Sequence, residues 1–289
     1  MNHTTTVTTG SLRVPDATLH YEVRGQGPLV VLVGAPMHAV FFAPLADLLA
    51  ADHTVLTTDP RGLNRSLLDD PDQDSTPEMR ADDLSRLLAH LDAGPAAVFG
   101  SSGGAVTALA LALAHPEQVH TVIAHEPPLN RVLDDREARD AAVEDIIATY
   151  ASGDVGGAWT KFLVNANITF PETEESADAH GAPPTEAADA HATPAEPDPQ
   201  QVADERFWFL HEMRATTHWQ PDVAALRAGP TRIVVGVGKE SAGQFCDLTS
   251  AALAAALGTE PTFFPGGHIA FADDPAGFLP RLREVLRGN

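Results

Sequence analysis

Cysteine occurs once in this chain, at Cys246, so no intrachain disulfide can form and nothing points to an oxidising compartment. Basic residues are scarce as well: 18 Lys and Arg stand against 40 Asp and Glu, a formal charge of -22. That balance repels phosphate backbones and anionic surfaces, so neither nucleic acid nor a membrane is an expected partner. Solubility alone accounts for such a charge, and a neutral, apolar small molecule fits it as ligand. The opening Met1-Asn2-His3-Thr4-Thr5-Thr6 has neither a basic start nor an apolar stretch, so no secretory signal is expected. The longest apolar helical pattern, 105–114, is too short to span a bilayer. A soluble, cytoplasmic protein is the expectation.

What is present is enough apolar material for a core: 44% hydrophobic residues in a chain of 289, long for one domain and short for two. Strand-like and helical patterns alternate through the first half, the signature of a mostly parallel sheet with helices on both faces. An antiparallel pair at 12–14 and 19–23 is followed by a continuous apolar strand at 29–33 and a helix at 45–50. Then come a strand at 54–58, a helix at 79–91, a strand at 96–99, a helix at 105–114 and a sixth strand at 119–124. Amphipathic helices at 135–150, 158–164 and 204–214 follow, with a Pro/Ala/acidic loop at about 171–200 that has almost no large apolar residue. Strand patterning resumes at 232–237, then a helix at 250–257, a short strand at 262–264 and a last helix at 275–286. The expected organisation is an α/β core, 1–130 and 220–289, with a helical cap, 131–219, inserted after the sixth strand. Such a cap would stand over the carboxyl ends of the strands, where open parallel sheets place ligands.

Gly100-Ser101-Ser102-Gly103-Gly104 lies between the apolar run Ala96-Ala97-Val98-Phe99 and a helical pattern stopped by His115-Pro116. Strand, G-x-S-x-G, helix is the context of a nucleophile elbow: small residues flank a serine held on a sharp turn. Ser102 is therefore the candidate nucleophile, and it needs a base and an acid to orient the base. His268 is the candidate base, because Pro265-Gly266-Gly267-His268 follows the last strand and its glycines permit the loop that brings an imidazole back over the sheet. Two acids remain open. Glu240, with Lys239 and Ser241, occupies the loop after 232–237, the commoner place in such a fold. Glu126 follows a regular strand directly and precedes Pro127-Pro128, which favours it. Oxyanion donors are expected from the amides of Gly103 and Ala35, since Pro36 has no N–H.

The whole chain resembles the α/β-hydrolase superfamily. Val33-Gly34-Ala35-Pro36 stands where the family has His-Gly-x-Pro, and Asp59-Pro60-Arg61-Gly62-Leu63-Asn64-Arg65-Ser66 where it has Asp-x-Arg-Gly-x-Gly-x-Ser. The departures are Val33 for histidine and Asn64 for glycine. Gly100 to Gly104, with His125-Glu126-Pro127-Pro128, is similar to the zearalenone lactonases of fungi, which carry a serine elbow, a His-Glu-Leu-Pro segment and a late Pro-Gly-x-His. That resemblance implies the triad Ser102, Glu126 and His268. It covers the core well and the cap poorly, so it does not carry a substrate.

Met37 and His38, after the oxyanion loop, and Trp208 and Met213, in the cap, are candidate pocket residues. Asp59 and Arg61 are expected to be structural. His211-Glu212 with His218 lacks the His-Glu-x-x-His spacing, so no metal site is expected, and no cofactor. The expected activity is hydrolysis of a carboxylic ester or lactone, with C–C bond hydrolysis or perhydrolysis on the same triad, or a non-catalytic receptor on the same fold, as alternatives.

Overall fold

The computed structural model describes residues 6–168 and 198–288. The expected 171–200 loop lies outside the described residues except for its last three, where Asp198 caps a helix. β1 (Val7–Val14) and β2 (Ala17–Arg24) form an antiparallel hairpin. β3 (Leu29–Val33), β4 (Thr54–Thr58), the two-residue β5 (Leu67–Leu68), β6 (Ala96–Ser101), β7 (Val119–His125), β8 (Arg232–Gly238) and β9 (Thr262–Phe264) complete the sheet. The strand order is β1-β2-β4-β3-β6-β7-β8-β9, with β5 beside β2. Pairing is parallel along β4-β3-β6-β7-β8-β9, and the pairs that involve β2, with β1, β4 and β5, are antiparallel.

The central strands read as unbroken apolar runs because both faces are covered. Their alternate residues feed two different cores, as the two-residue period of a strand requires. Leu29, Val31 and Val33 of β3 and Ala96 and Val98 of β6 join a core on one face. Val30 and Leu32 of β3 and Ala97 and Phe99 of β6 join one on the other. The first face is covered by α2 (Pro77–Leu91), α3 (Gly103–Ala114), α8 (Val223–Ala228) and α9 (Phe245–Leu257). The second is covered by α1 (Ala39–Leu49), α10 (Ala270–Asp273) and α11 (Pro275–Leu286). Each leucine or valine so buried contributes about 2 kcal/mol.

Between β7 and β8 lie α4 (Arg136–Ala151), α5 (Val155–Ala166), α6 (Pro199–Phe207) and α7 (Met213–Thr217). Helices α4, α5 and α7, with Phe209 between α6 and α7, share their own apolar cluster, in which Tyr150 stacks on Phe209 at 4.4 Å between ring centres. The insertion thus follows the sixth expected strand, here β7 because the short β5 precedes it. The helix expected at 204–214 is divided: Trp208–Glu212 makes a π turn between α6 and α7. Helix α1 begins six residues earlier than expected because Pro44 does not break it. Pro44 cannot donate to the carbonyl of Val40, one turn earlier, and Val40 is an exposed residue.

The elbow explains its glycines. A Cβ on Gly100 would lie 2.3 Å from the carbonyl oxygen of Gly104, and one on Gly104 would lie 2.3 Å from that of Val33. Helix α3 therefore approaches β3 and β6 closer than any side chain allows. Replacing Gly104→Ala is expected to destabilise the fold by about 2 kcal/mol or more. Urea unfolding of the purified variant checks this, and an unchanged midpoint would contradict it.

Candidate active site

Parallel strands bring their following loops to one edge of the sheet, so residues distant in sequence meet there. Ser102 follows β6, Glu126 follows β7 and His268 follows β9. Ser102 has φ 56° and ψ -126°, a sparsely populated conformation for a residue with a side chain. Its N–H donates to the carbonyl of His125 at 2.9 Å and its carbonyl accepts from Ala105, so the strain is held on both sides. Glu126 also has positive φ, 53°, with its N–H donating to the Gly236 carbonyl at 3.0 Å.

The Glu126 carboxylate is fully buried and both oxygens accept hydrogen bonds. Gly238 N–H donates to Oε1 at 2.7 Å, and His268 Nδ1–H donates to Oε2 at 2.5 Å. Because a carboxylate only accepts, this contact fixes the tautomer: Nδ1 carries the proton and Nε2 is the basic nitrogen. Burial alone would raise the Glu126 carboxyl, but the His268 hydrogen bond and the charges of His268 and His125 together bring it down to about 2.

Ser102 and His268 open onto one cavity of about 170 Å³, together with Ala35, Gly103 and Glu212. Its wall is otherwise largely apolar, from Val143, Ile146, Phe162, Trp208, Met213 and Phe245. Among the described residues no hydrogen bond joins Ser102 to His268, an arrangement common in sites without substrate.

The α/β hydrolase fold family matches residues 27–167. A hydrolase of Bacillus subtilis (strain 168), YraK, described as uncharacterized, is 33% identical over 288 residues, covering 97% of each chain. A zearalenone hydrolase of Bionectria ochroleuca is 32% identical over 152 residues, 49% of this chain and 58% of that protein. The chain belongs to the α/β-hydrolase fold family. Among solved structures, an esterase from Thermogutta terrifontis superposes with a TM-score of 0.67, covering 97% of this chain and 98% of that one. At 18% identity this likeness bears on the fold alone.

Within this α/β hydrolase the structure brings Glu126, not Glu240, to His268. Glu240 is exposed, and its N–H is held by the Gly266 carbonyl. Of the four expected pocket residues, Trp208 and Met213 line the cavity. Met37 and His38 do not: Met37 packs on the core behind α1, and the His38 ring lies 4.8 Å from that of Phe41, with its Nδ1 accepting from Asn64 Nδ2 at 3.3 Å. The Gly103 amide differs from expectation too, since it donates to the Ala35 carbonyl at 3.2 Å instead of standing free. Asn64 has φ 51°, which explains how asparagine serves where the family has glycine. Asp59 accepts from Ala39 N–H, Asn64 and Arg65, and Arg61 pairs with Asp83; both hold the turn.

Three groups at the site were not singled out as site residues by sequence reasoning. Cys246 lines the cavity, and with Glu126 and His268 it makes the one cluster among the described residues with metal-ligand spacing, all within 4.8 Å. Burial and the charge of Glu126 push its thiol up, so it is a poor ligand, and the Glu126–His268 hydrogen bond already uses the face a metal would need. Glu212 is buried in the cavity wall beside Arg80, and burial pushes its carboxyl up against the pull of that arginine. His125 lies fully buried among Phe99, Phe264, Phe271 and Phe278, its ring centre 6.5 Å from that of His268. Neither of its nitrogens has a hydrogen-bond partner among the described residues.

Burial lowers His125 from its ordinary 6.5 to about 4, with Glu126 opposing. The unfolded chain therefore takes up a proton below 6.5 that the folded chain refuses until about 4, so acidification across that window favours unfolding. The contribution is on the order of 3 kcal/mol. Replacing His125→Phe is expected to flatten the fall in melting temperature between pH 6.5 and 4. Calorimetry across that range checks it, and an unaltered slope would contradict it.

Proposed function

We propose that this hydrolase cleaves a carboxylic ester or lactone through an acyl-enzyme on Ser102. The observation that carries the reading is the buried Glu126–His268 hydrogen bond, which holds Nε2 basic at the cavity onto which the strained Ser102 opens. His268 Nε2 takes the Ser102 proton as Oγ attacks the acyl carbon, and then gives it to the departing alkoxide. Water then attacks the acyl-enzyme, its proton passing to Nε2, and the carboxylic acid leaves as the Ser102 hydroxyl is restored. For a lactone, alcohol and acid leave as one opened molecule.

The oxyanion takes the amides of Ala35 and Gly103. A charged oxygen is a stronger acceptor than the Ala35 carbonyl that now holds the Gly103 N–H, so it displaces that bond as it forms. The apolar cavity wall favours a neutral, apolar acyl or alcohol part, and the net charge of -22 disfavours anionic substrates. Helices within 131–219 act as a cap on the 1–130 and 220–289 core, excluding water from the reacting atoms. The partial likeness to a zearalenone hydrolase supports the same class of reaction.

A fluorophosphonate probe followed by peptide mass spectrometry is expected to label Ser102 in the wild type and nothing in Ser102→Ala. Turnover of simple esters in Glu126→Gln is expected to fall by about 10³–10⁴, as when a triad acid can no longer hold the tautomer. Glu240→Gln is expected to change it little. No adduct on Ser102, with a small molecule still bound in the cavity, would favour a receptor over an enzyme.

A further inference from the structure

Glu212 is 1% exposed, yet it stands in the wall of the cavity that holds Ser102 and His268. It ends the π turn Trp208–Glu212, a rare local geometry that recurs at functional sites. Arg80 Nη1 lies 3.7 Å from its Oε2, near enough to offset the charge and too far for a hydrogen bond. The donors of Arg80 are directed elsewhere: Nε to Thr107 Oγ1, Nη1 to the carbonyl and hydroxyl of Ser75, and Nη2 to Thr216 Oγ1. Oε2 is left without any hydrogen-bond partner among the described residues. A buried carboxyl whose Oε2 has no hydrogen-bond partner among the described residues is costly, and a donor brought against it relieves that cost.

We infer that Glu212 is a specificity residue, accepting a hydrogen bond from a hydroxyl on the substrate, away from the ester or lactone carbonyl. This rests on the serine-hydrolase reading for which end of the substrate faces Ser102, but the recognition itself does not need turnover. Because Arg80 already supplies a positive charge, the group recognised is a neutral hydroxyl and not an ammonium. The remaining wall is mostly apolar, with Asn165, Thr216, Thr217 and Gln244 as its polar members, so the substrate class is a hydroxylated ester or lactone on a mainly apolar body. A site built to hold a hydroxyl rejects the analogue that lacks it far more strongly than an apolar pocket rejects a shorter chain. The opposing reading is that Glu212 serves only as counter-ion to Arg80, tying the π turn to α2.

The test uses methyl ω-hydroxyalkanoates over a ladder of chain lengths, each matched with the methyl alkanoate in which a methyl group replaces the hydroxyl, and with the ω-amino ester. Binding is measured by calorimetry on Ser102→Ala, and kcat/KM on the serine enzyme, with and without Glu212→Gln. The inference predicts one chain length at which the hydroxy ester binds about tenfold or more tighter than its partner, a ratio that Glu212→Gln reduces towards unity. A ratio near one at every length, a ratio unmoved by Glu212→Gln, or stronger binding of the ammonium ester would overturn it. Should Glu212→Gln fail to fold, the wild-type ratios decide alone. If the binding preference is found while no ester is turned over, the hydrolase chemistry is wrong and the hydroxyl site stands; turnover without preference gives the reverse.

Discussion

The hydrogen bond from His268 Nδ1 to the buried carboxylate of Glu126 is the contact on which the rest of the site depends. It joins the loops after β7 and β9, the first placed deep in the sheet and the second at its edge. The backbone N–H of Gly238, the last residue of β8, holds the other carboxylate oxygen. Three successive parallel strands thus build one acid–base pair, and their order in the sheet is what makes them neighbours. Burial of the carboxylate, costly by itself, is turned to advantage by partners that stabilise its charged form.

Strained backbone and unsatisfied polar atoms both occur beside this pair. Ser102 and Glu126 both carry positive φ, adjacent at the carboxyl ends of neighbouring strands, and each is fixed by a backbone hydrogen bond to the next strand. His125 lies directly beneath, neutral among phenylalanines with no polar partner among the described residues. Glu212 lines the cavity, and its Oε2 has no hydrogen-bond partner among the described residues. Elsewhere Arg61 pairs with Asp83 through two hydrogen bonds in the interior, and the exposed Arg65 holds the buried Asp59.

Much of this was legible in the sequence because it depends on local rules. The apolar run at 29–33, the flanking glycines of the elbow and the prolines after Glu126 each dictate geometry within a few residues. The fold class and the position of the inserted helices followed from alternation alone. Long-range contacts were not legible. Met37 and His38 turn away from the cavity because Asn64 and the core behind α1 compete for them. The Gly103 amide is taken by a carbonyl from a loop far earlier in the chain. Glu212 showed one local signal, a lone carboxylate within the apolar run from Phe207 to Met213, but its neighbour His211 drew it into a failed metal motif. Its role depends on a π turn that helical periodicity does not register, and on an arginine from α2.

The central claim is that Glu126, through the His268 hydrogen bond, sets the tautomer of the proposed base. Proton NMR of the wild type in water measures that bond directly, because a short imidazole-to-carboxylate proton resonates far downfield of ordinary imidazole N–H groups. The account predicts such a resonance, lost on His268→Gln and on Glu126→Ala and kept on Glu240→Ala. Its absence from the folded wild type, or its loss on Glu240→Ala with survival on Glu126→Ala, would contradict the account.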